Sequence, residues 1–225
     1  MKKKIAWLVL VITVIPVVAA CAQMDVIGKA SVTSFEAVIQ AAGDNIIADE
    51  QNGGWALTAP DGTARFIWSL DFSKTSEYDV MLETEAQPFI DAGLDVSKLP
   101  EGMISDGKLI VGTNLGDDQL EYNGEATPIA SYEKIVELYR ESIGYHTALD
   151  HFGIDLTGGN MFEWAKDIKT NDKDIVFVLD PQILIDAGVD PTKVEGWAFA
   201  KVNKMDDKGK PIEVDKFLKP FDLKG

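Results

Sequence analysis

A stripe of apolar residues at helical spacing predicts a helix near the start of the folded chain. Its members, which fall on one helical face, are Phe35, Val38, Ile39 and Ala42. Thr33 or Ser34 is the expected N-cap, because Thr33 and Glu36 fit a capping box, and Gly43 is the expected stop. Further along the chain, a matching stripe ends at Gly144 and comprises Tyr132, Ile135, Val136, Tyr139 and Ile143.

Short apolar runs after each helix predict antiparallel strands. Trp55–Thr58 and Ala64–Asp71 flank Pro60-Asp61-Gly62, which has the residues of a tight turn, and Asp79–Thr84 is a third strand. After the second helix we expect a short helix at Thr147–Phe152, a turn at Gly158-Gly159-Asn160 and a strand at Asp174–Leu179.

The same kinds of residue recur in the same order along the two parts of the chain. Phe89–Asp95 recurs as Leu184–Asp190, a shift of 95 positions, and Ser34–Ile39 recurs as Ser131–Val136, a shift of 97. The remaining matches align Phe66 and Trp68 with Phe162 and Trp164, Asp79-Val80 with Asp174-Ile175, Gly54–Thr58 with Gly153–Thr157, and Asn114 and Asp117-Asp118 with Asn203 and Asp206-Asp207. A fourth strand is expected at Lys108–Thr113 and Trp197–Asn203, and a fifth at Leu120–Tyr122 and Ile212–Val214. We interpret the pattern as a tandem duplication.

The predicted fold class is therefore α+β, in two copies of a unit of about 95 residues. Each unit contains a helix, three antiparallel strands, a short helix and a β-hairpin. The first unit is assigned to residues 33–126 and the second to residues 127–225. Tandem units of this kind commonly pack with a pseudo-twofold axis.

The repeated Ile-Asp-Ala-Gly motif has two interpretations. Asp91 and Asp186 are candidates for a paired catalytic or metal-binding carboxylate site. The preferred interpretation is structural: a short helix stops at Gly93 or Gly188, where a positive φ suits glycine. Asp95 and Asp190 would then cap the next turn.

Composition narrows the function classes. Hydrophobic residues make up 46% of the 225 residues, and the formal net charge is −16. A chain this acidic is unsuited to nucleic acid, which needs a basic surface. The single cysteine excludes a disulfide framework and a cysteine-based zinc site.

The first residues follow the pattern of a secretory signal. Lys2, Lys3 and Lys4 precede the apolar run Ile5–Val18, which is too short to span a bilayer comfortably. The segment Val18-Ala19-Ala20-Cys21 resembles the lipobox of bacterial lipoproteins, with Val18 in place of the usual Leu. The resemblance implies a signal peptide over residues 1–20, a lipid anchor at Cys21 and a tether over residues 21–32. It also implies a location on the extracytoplasmic face of a bacterial cell membrane.

No stretch matches a catalytic motif, and no cofactor or metal is predicted. His146 and His151 are five residues apart, which would place them on different faces of a helix and not as a chelating pair. Two acidic stretches, residues 117–125 and 167–174, are rich in oxygen ligands but do not match the calcium loop of EF-hands, so solvated turns are expected there.

Aromatic and basic residues supply the candidate ligand-binding side chains. Trp68 and Trp164 occur in both copies and are therefore expected in the core. Residues that differ between copies are freer to serve function. By that argument the three candidates are Trp55, Arg65 and Trp197. The alignment places Ile154 at the position in the second copy that corresponds to Trp55.

The leading hypothesis is a membrane-anchored binding module for a small ligand, a peptide or an envelope protein, with its site in the cleft between the copies. The alternatives are a structural spacer of the envelope and an envelope hydrolase that uses carboxylates. The carboxylate alternative stays open because 37 acidic residues always contain pairs.

Overall fold

The structure is a computed structural model that describes residues 15–49, 54–69, 78–113, 127–147, 149–168, 173–205 and 210–223, with side chains from residue 26 to residue 203 and from residue 210 onward. It begins with helix α1, Ile15–Ala42. No helix in these ranges is both long and apolar enough to cross a membrane.

Two six-stranded antiparallel sheets follow, and they establish the α+β class. The first has the order β1-β2-β3-β4-β6-β5, and helix α2, Gln87–Asp91, follows β4. Its strands are β1 Ile46–Asp49, β2 Gly54–Thr58, β3 Ala64–Ser69, β4 Val80–Glu85, β5 Ile104–Ser105 and β6 Lys108–Thr113.

Helix α3, Pro128–Leu138, precedes the strands of the second sheet along the chain. Helix α4, Gln182–Asp186, follows strand β10 of that sheet. Its strand order is β11-β12-β10-β9-β8-β7. The strands are β7 Ile143–His146, β8 His151–Asp155, β9 Met161–Ala165, β10 Ile175–Leu179, β11 Ala198–Met205 and β12 Pro211–Phe221.

The predicted helix boundaries were wrong. Thr33 and Ser34 lie inside α1, where the Thr33 hydroxyl donates to Lys29 O at 3.2 Å and does not cap the helix. The whole of the predicted tether, residues 21–32, is also helical, and Ser31 is buried. Helix α3 starts earlier than its stripe, because Thr127 is the N-cap and Pro128 suits the first turn. It ends at Leu138, so Ile143 and Gly144 belong to β7.

The prediction also missed the first strand of each sheet. The unit contains four strands before its short helix, not three, because no strand had been predicted at β1 and the first two residues of β7 had been assigned to the second helix. The helix predicted at Thr147–Phe152 is wrong, since His151–Asp155 is strand β8. Four-residue strands lack the length that separates period 2 from period 3.6 in a sequence.

Sheet register corrects the alignment of the two halves. Trp55 pairs with Trp68, and Phe152 pairs with Trp164, so the equivalent of Trp55 is Phe152 and not Ile154. Strand β6 pairs with β4 as β12 pairs with β10, so Lys108–Thr113 corresponds to part of β12 and not to Trp197–Asn203. The predicted strand at Leu120–Tyr122 lies outside the described residues.

A single hydrophobic core joins the two halves. Phe66 and Phe162 stack at its centre, with ring centroids 4.2 Å apart and ring planes 2° from parallel. Trp68 and Trp164 are fully buried on either side, which confirms their prediction as core residues. The middle of the junction is therefore filled by side chains, and any ligand site between the halves must lie at its rim.

Each helix is fastened to the sheet of the other half. The Ser34 hydroxyl of α1 donates to Ala165 O at 2.9 Å, at the end of β9. The Ser131 hydroxyl of α3 donates to Ser69 O, at the end of β3. Trp68 Nε1 adds a bond to Pro128 O at 3.1 Å. The helices are thus exchanged between the halves.

The glycines of the repeated motif lie where the halves approach most closely. Gly93 and Gly188 have φ values of 108° and 107°. A Cβ on Gly93 would lie 2.8 Å from Gly188 O, and one on Gly188 would lie 2.9 Å from Gly93 O. Asp95 N donates to Ala187 O at 2.9 Å, and Asp190 N donates to Ala92 O at 2.8 Å. The motif thus forms a reciprocal backbone contact.

We predict that Gly93→Ala destabilises the protein more than Gly62→Ala. Gly62 has a φ of 74° with open space around its Cβ position, so that variant costs only the left-handed strain, ~1–2 kcal/mol. Gly93→Ala adds a clash with Gly188 O, which costs a further ~1–3 kcal/mol. Urea unfolding followed by circular dichroism measures the difference. Equal losses for the two variants would contradict the close approach.

Candidate functional site

The three candidate ligand residues do not form one surface. Trp55 faces the core from β2 and is half-buried. Arg65 lies next to Phe66 on β3 and therefore points to the opposite face of the same sheet. Trp197 lies just before β11, in the second half of the chain. Each has to be judged in its own surroundings.

Arg65 is engaged by carboxylates of its own sheet. Its Nη2 lies 2.5 Å from Asp49 Oδ2, and its Nη1 lies 3.3 Å from Glu83 Oε1. The three residues link β1, β3 and β4 across the outer face. This pairing gives Arg65 a structural role and leaves its Nε as a buried donor without a hydrogen bond.

The outer face of the second sheet carries a cluster of two histidines and one glutamate. His146 and His151 are directly opposite each other in the β7–β8 pair. His146 Nδ1 lies 2.9 Å from Glu163 Oε1, and His151 Nδ1 lies 3.7 Å from Glu163 Oε2. Helical spacing had predicted that the two histidines lie on different faces. The prediction was wrong because the segment is a hairpin, in which opposite residues share a face.

Glu163 and His146 shift each other's ionisation. The hydrogen bond to Glu163 raises the pKa of His146, against the effect of burial, which lowers it. Burial alone would raise the pKa of Glu163, but the hydrogen bond from His146 and the nearby His151 hold it at about 2. Glu163 is thus a permanent anion near neutral pH, and half-buried His146 can exchange a proton with solvent.

No group of three or more His, Cys, Asp or Glu side chains in the described ranges is arranged to hold a metal ion. The acidic stretch 117–125 lies outside those ranges, as do residues 169–172 of the other stretch. Asp174 accepts a hydrogen bond from Leu223 N at 2.8 Å, which gives it a structural role. Asp91 and Asp186 each accept from a glutamine on their own short helix.

A recess lies at the rim of the junction, between α1 and the second sheet. Its volume is about 450 Å³. The lining residues are Ala30, Thr33, Ser34 and Ala37 of α1, together with Phe152, Lys166, Asp167 and Ile168. The recess is thus formed by both halves, and most of the surface that lines it is apolar. The sequence pattern missed it because the exchange of helices, which brings α1 to this sheet, leaves no local signal.

Charged and polar groups surround the recess. Lys166 Nζ lies 3.8 Å from Asp150 Oδ1 and 5.6 Å from the centre of the Tyr145 ring. The Ser34 hydroxyl is occupied by Ala165 O and Lys166 O, so it fixes the helix. The exposed side chains of Lys166 and Asp167 are therefore the charged groups that line the recess.

Comparison with known protein families, with curated proteins and with solved structures finds no match to this chain.

We predict that Glu163→Gln lowers the pKa of His146, because its largest raising interaction, with the Glu163 carboxylate, is lost while burial remains. Nuclear magnetic resonance of the two histidine rings measures the titration. Glu83→Gln, the same change on the first sheet, is the control and leaves His146 unaffected. An unchanged His146 pKa in Glu163→Gln would refute the coupling.

The pair also sets a pH window for stability. The raised pKa of His146 contributes stability that is present below pH 6.5 and lost as the pH rises through its folded value. The lowered pKa of Glu163 contributes stability that is present above pH 4.5 and lost as the pH falls toward about 2. We expect the difference in unfolding free energy between wild type and Glu163→Gln to be largest between pH 4.5 and pH 6.5, where both contributions are present.

Proposed function

We propose that this protein is a bacterial lipoprotein, anchored to the membrane through lipid on Cys21, that acts as an extracytoplasmic binding module. The signal-like residues 1–20 and the lipobox-like segment ending at Cys21 support the anchor. Two acyl chains on one residue hold a protein on a membrane far more firmly than one. Its partners would be the membrane and a small ligand, peptide or envelope protein.

We also propose that the chain arose by duplication and packs about a pseudo-twofold axis. The reciprocal contacts support this: Ser34 and Ser131 make equivalent bonds to opposite sheets, and Gly93 and Gly188 meet each other. Such isologous contacts are what a twofold arrangement of like units produces. A binding function then arises where the two halves differ.

The recess between α1 and the second sheet carries the binding proposal. Phe152 lines it, whereas the equivalent position of the first sheet holds the larger Trp55. Ala37 also lines it, whereas the equivalent position of α3 holds Lys134. Smaller residues thus line the recess at α1, whereas larger residues occupy the equivalent positions at α3 and the first sheet. An apolar ligand group with an acidic end, paired with Lys166, fits this lining.

The hydrolase alternative gains no support from Glu163. A glycosidase acid needs a raised pKa, so that it carries a proton near neutral pH. The pKa of Glu163 is instead held at about 2. The spacer alternative differs from the binding proposal in one measurable respect, which is that a spacer has no saturable ligand.

We predict that Ala37→Phe removes ligand binding and that Lys134→Phe does not. The first change fills the recess, and the second adds the same ring at the equivalent position of α3. Native mass spectrometry of the full chain, released from detergent after gentle purification, detects a retained ligand. A ligand retained equally by both variants would move the site elsewhere, and a bare mass in wild type would favour the spacer.

We predict that Cys21→Ser abolishes the anchor. Labelled palmitate is expected in the wild-type protein and absent from the variant, because the thiol is the acceptor. In a fractionation of cells, the wild-type protein is expected in its cleaved, membrane-bound form, and this form is expected to be lost in the variant. A variant that is still labelled would place the lipid on another residue.

A further inference from the structure

Lys219 is a buried lysine without an anionic partner. It lies on β12, opposite Phe177, and only 7% of its surface is exposed. No hydrogen bond or ion pair engages its ammonium in the described part of the chain. Its contacts are aromatic: Nζ lies 5.6 Å from the Trp197 ring centre and 5.8 Å from that of Phe221.

Lys216, three residues earlier on the same strand, is a buried lysine whose ammonium has hydrogen-bond acceptors. It is equally buried, and its Nζ donates to Gly159 O and to Asp180 Oδ2, both at 2.7 Å. Burying an ammonium is costly unless it is paired. Lys219 therefore lacks an acceptor that the fold provides for its neighbour.

Trp197 adds a second unsatisfied donor beside Lys219. It is 8% exposed, and its Nε1 is buried without a hydrogen-bond partner. Unsatisfied nitrogens also occur at Trp55, Trp164, Arg65 and His151, but in the described ranges Trp197 is the one in contact with a cation that has no anionic partner. Unsatisfied buried groups in a native fold call for a bound water, an ion or a ligand.

The site is absent from the other half and open to solvent. Val111 is the equivalent of Lys219 by strand register, so an apolar residue satisfies the scaffold at this position. Gly196 is exposed, and a Cβ placed on it would meet Lys219 Nζ at 3.5 Å and otherwise open space. The missing side chain leaves an approach to the ammonium.

The acidic groups that face Lys219 come from the first half, and both are engaged. Asp61 and Glu85 favour the charged form of Lys219, whereas burial, the larger effect, lowers its pKa. Asp61 accepts from Thr63 at 2.6 Å, and Glu85 lies 2.5 Å from Lys108 Nζ. Neither carboxylate reaches the Lys219 ammonium.

We propose that Lys219 Nζ and Trp197 Nε1 form an anion-binding site that takes a carboxylate beside Gly196. The anion supplies the acceptor that the fold withholds from both donors. The site is distinct from the recess at α1, so it does not depend on the ligand proposed there.

The test is a titration of the full chain in detergent micelles with acetate at constant ionic strength. The indole N–H resonance of Trp197, assigned with Trp197→Phe, is followed in wild type, Lys219→Met and Lys216→Met. A saturable shift in wild type and Lys216→Met that weakens at least tenfold in Lys219→Met supports the site. An unsaturated shift of equal size in all three proteins overturns it.

Thermal unfolding separates the site from a structural role. Lys219→Met removes an unpaired buried charge, so its melting temperature is expected to equal or exceed that of wild type. Lys216→Met leaves Asp180 without its partner and is expected to melt lower. A fall for Lys219→Met as large as that for Lys216→Met would make Lys219 a structural residue and refute the proposal. Lys219→Gln serves the titration if the methionine variant does not fold.

Discussion

The fold depends on the exchange of helices between its two halves. Each helix presents a serine hydroxyl to the last carbonyl of a strand in the other half, and the stacked rings of Phe66 and Phe162 fill the space between the sheets. A six-stranded sheet has an apolar face that must be covered. Here the cover of each half comes from the other, so the two sheets share one core and stability cannot be divided between them.

Sequence periodicity predicted the class of fold, the place of the core tryptophans and the turn that holds Gly62. It failed where the determining contact is distant. Thr33 resembles an N-cap only if α1 begins there, and the contact that places this part of α1, from Ser34 to Ala165, joins residues 131 positions apart. The pairing of His146 with His151 escaped because a four-residue strand carries no clear period. The difference between the copies predicted Trp197 as a candidate ligand-binding residue. It did not predict Lys219, because the alignment had matched the wrong strands.

The halves differ in ways that a common scaffold does not require. On the first sheet, Arg65 joins two carboxylates; on the second, Glu163 joins two imidazoles. Val111 and Lys219 occupy equivalent positions, but the first is apolar and the second carries a charged ammonium. A duplicated fold can carry such differences because the shared core supplies most of the stability. Costly groups are then tolerated on one half.

The exchange also constrains how the chain reaches its native state. Ser69 and Ser131 are 62 positions apart, and Ser34 and Ala165 are 131 apart, so the contacts that close the core are long-range. Such contacts repay their loop-closure entropy only late in folding. During synthesis the first sheet emerges before α3, which covers it. A chain of this topology stays incompletely folded until its second half has been made.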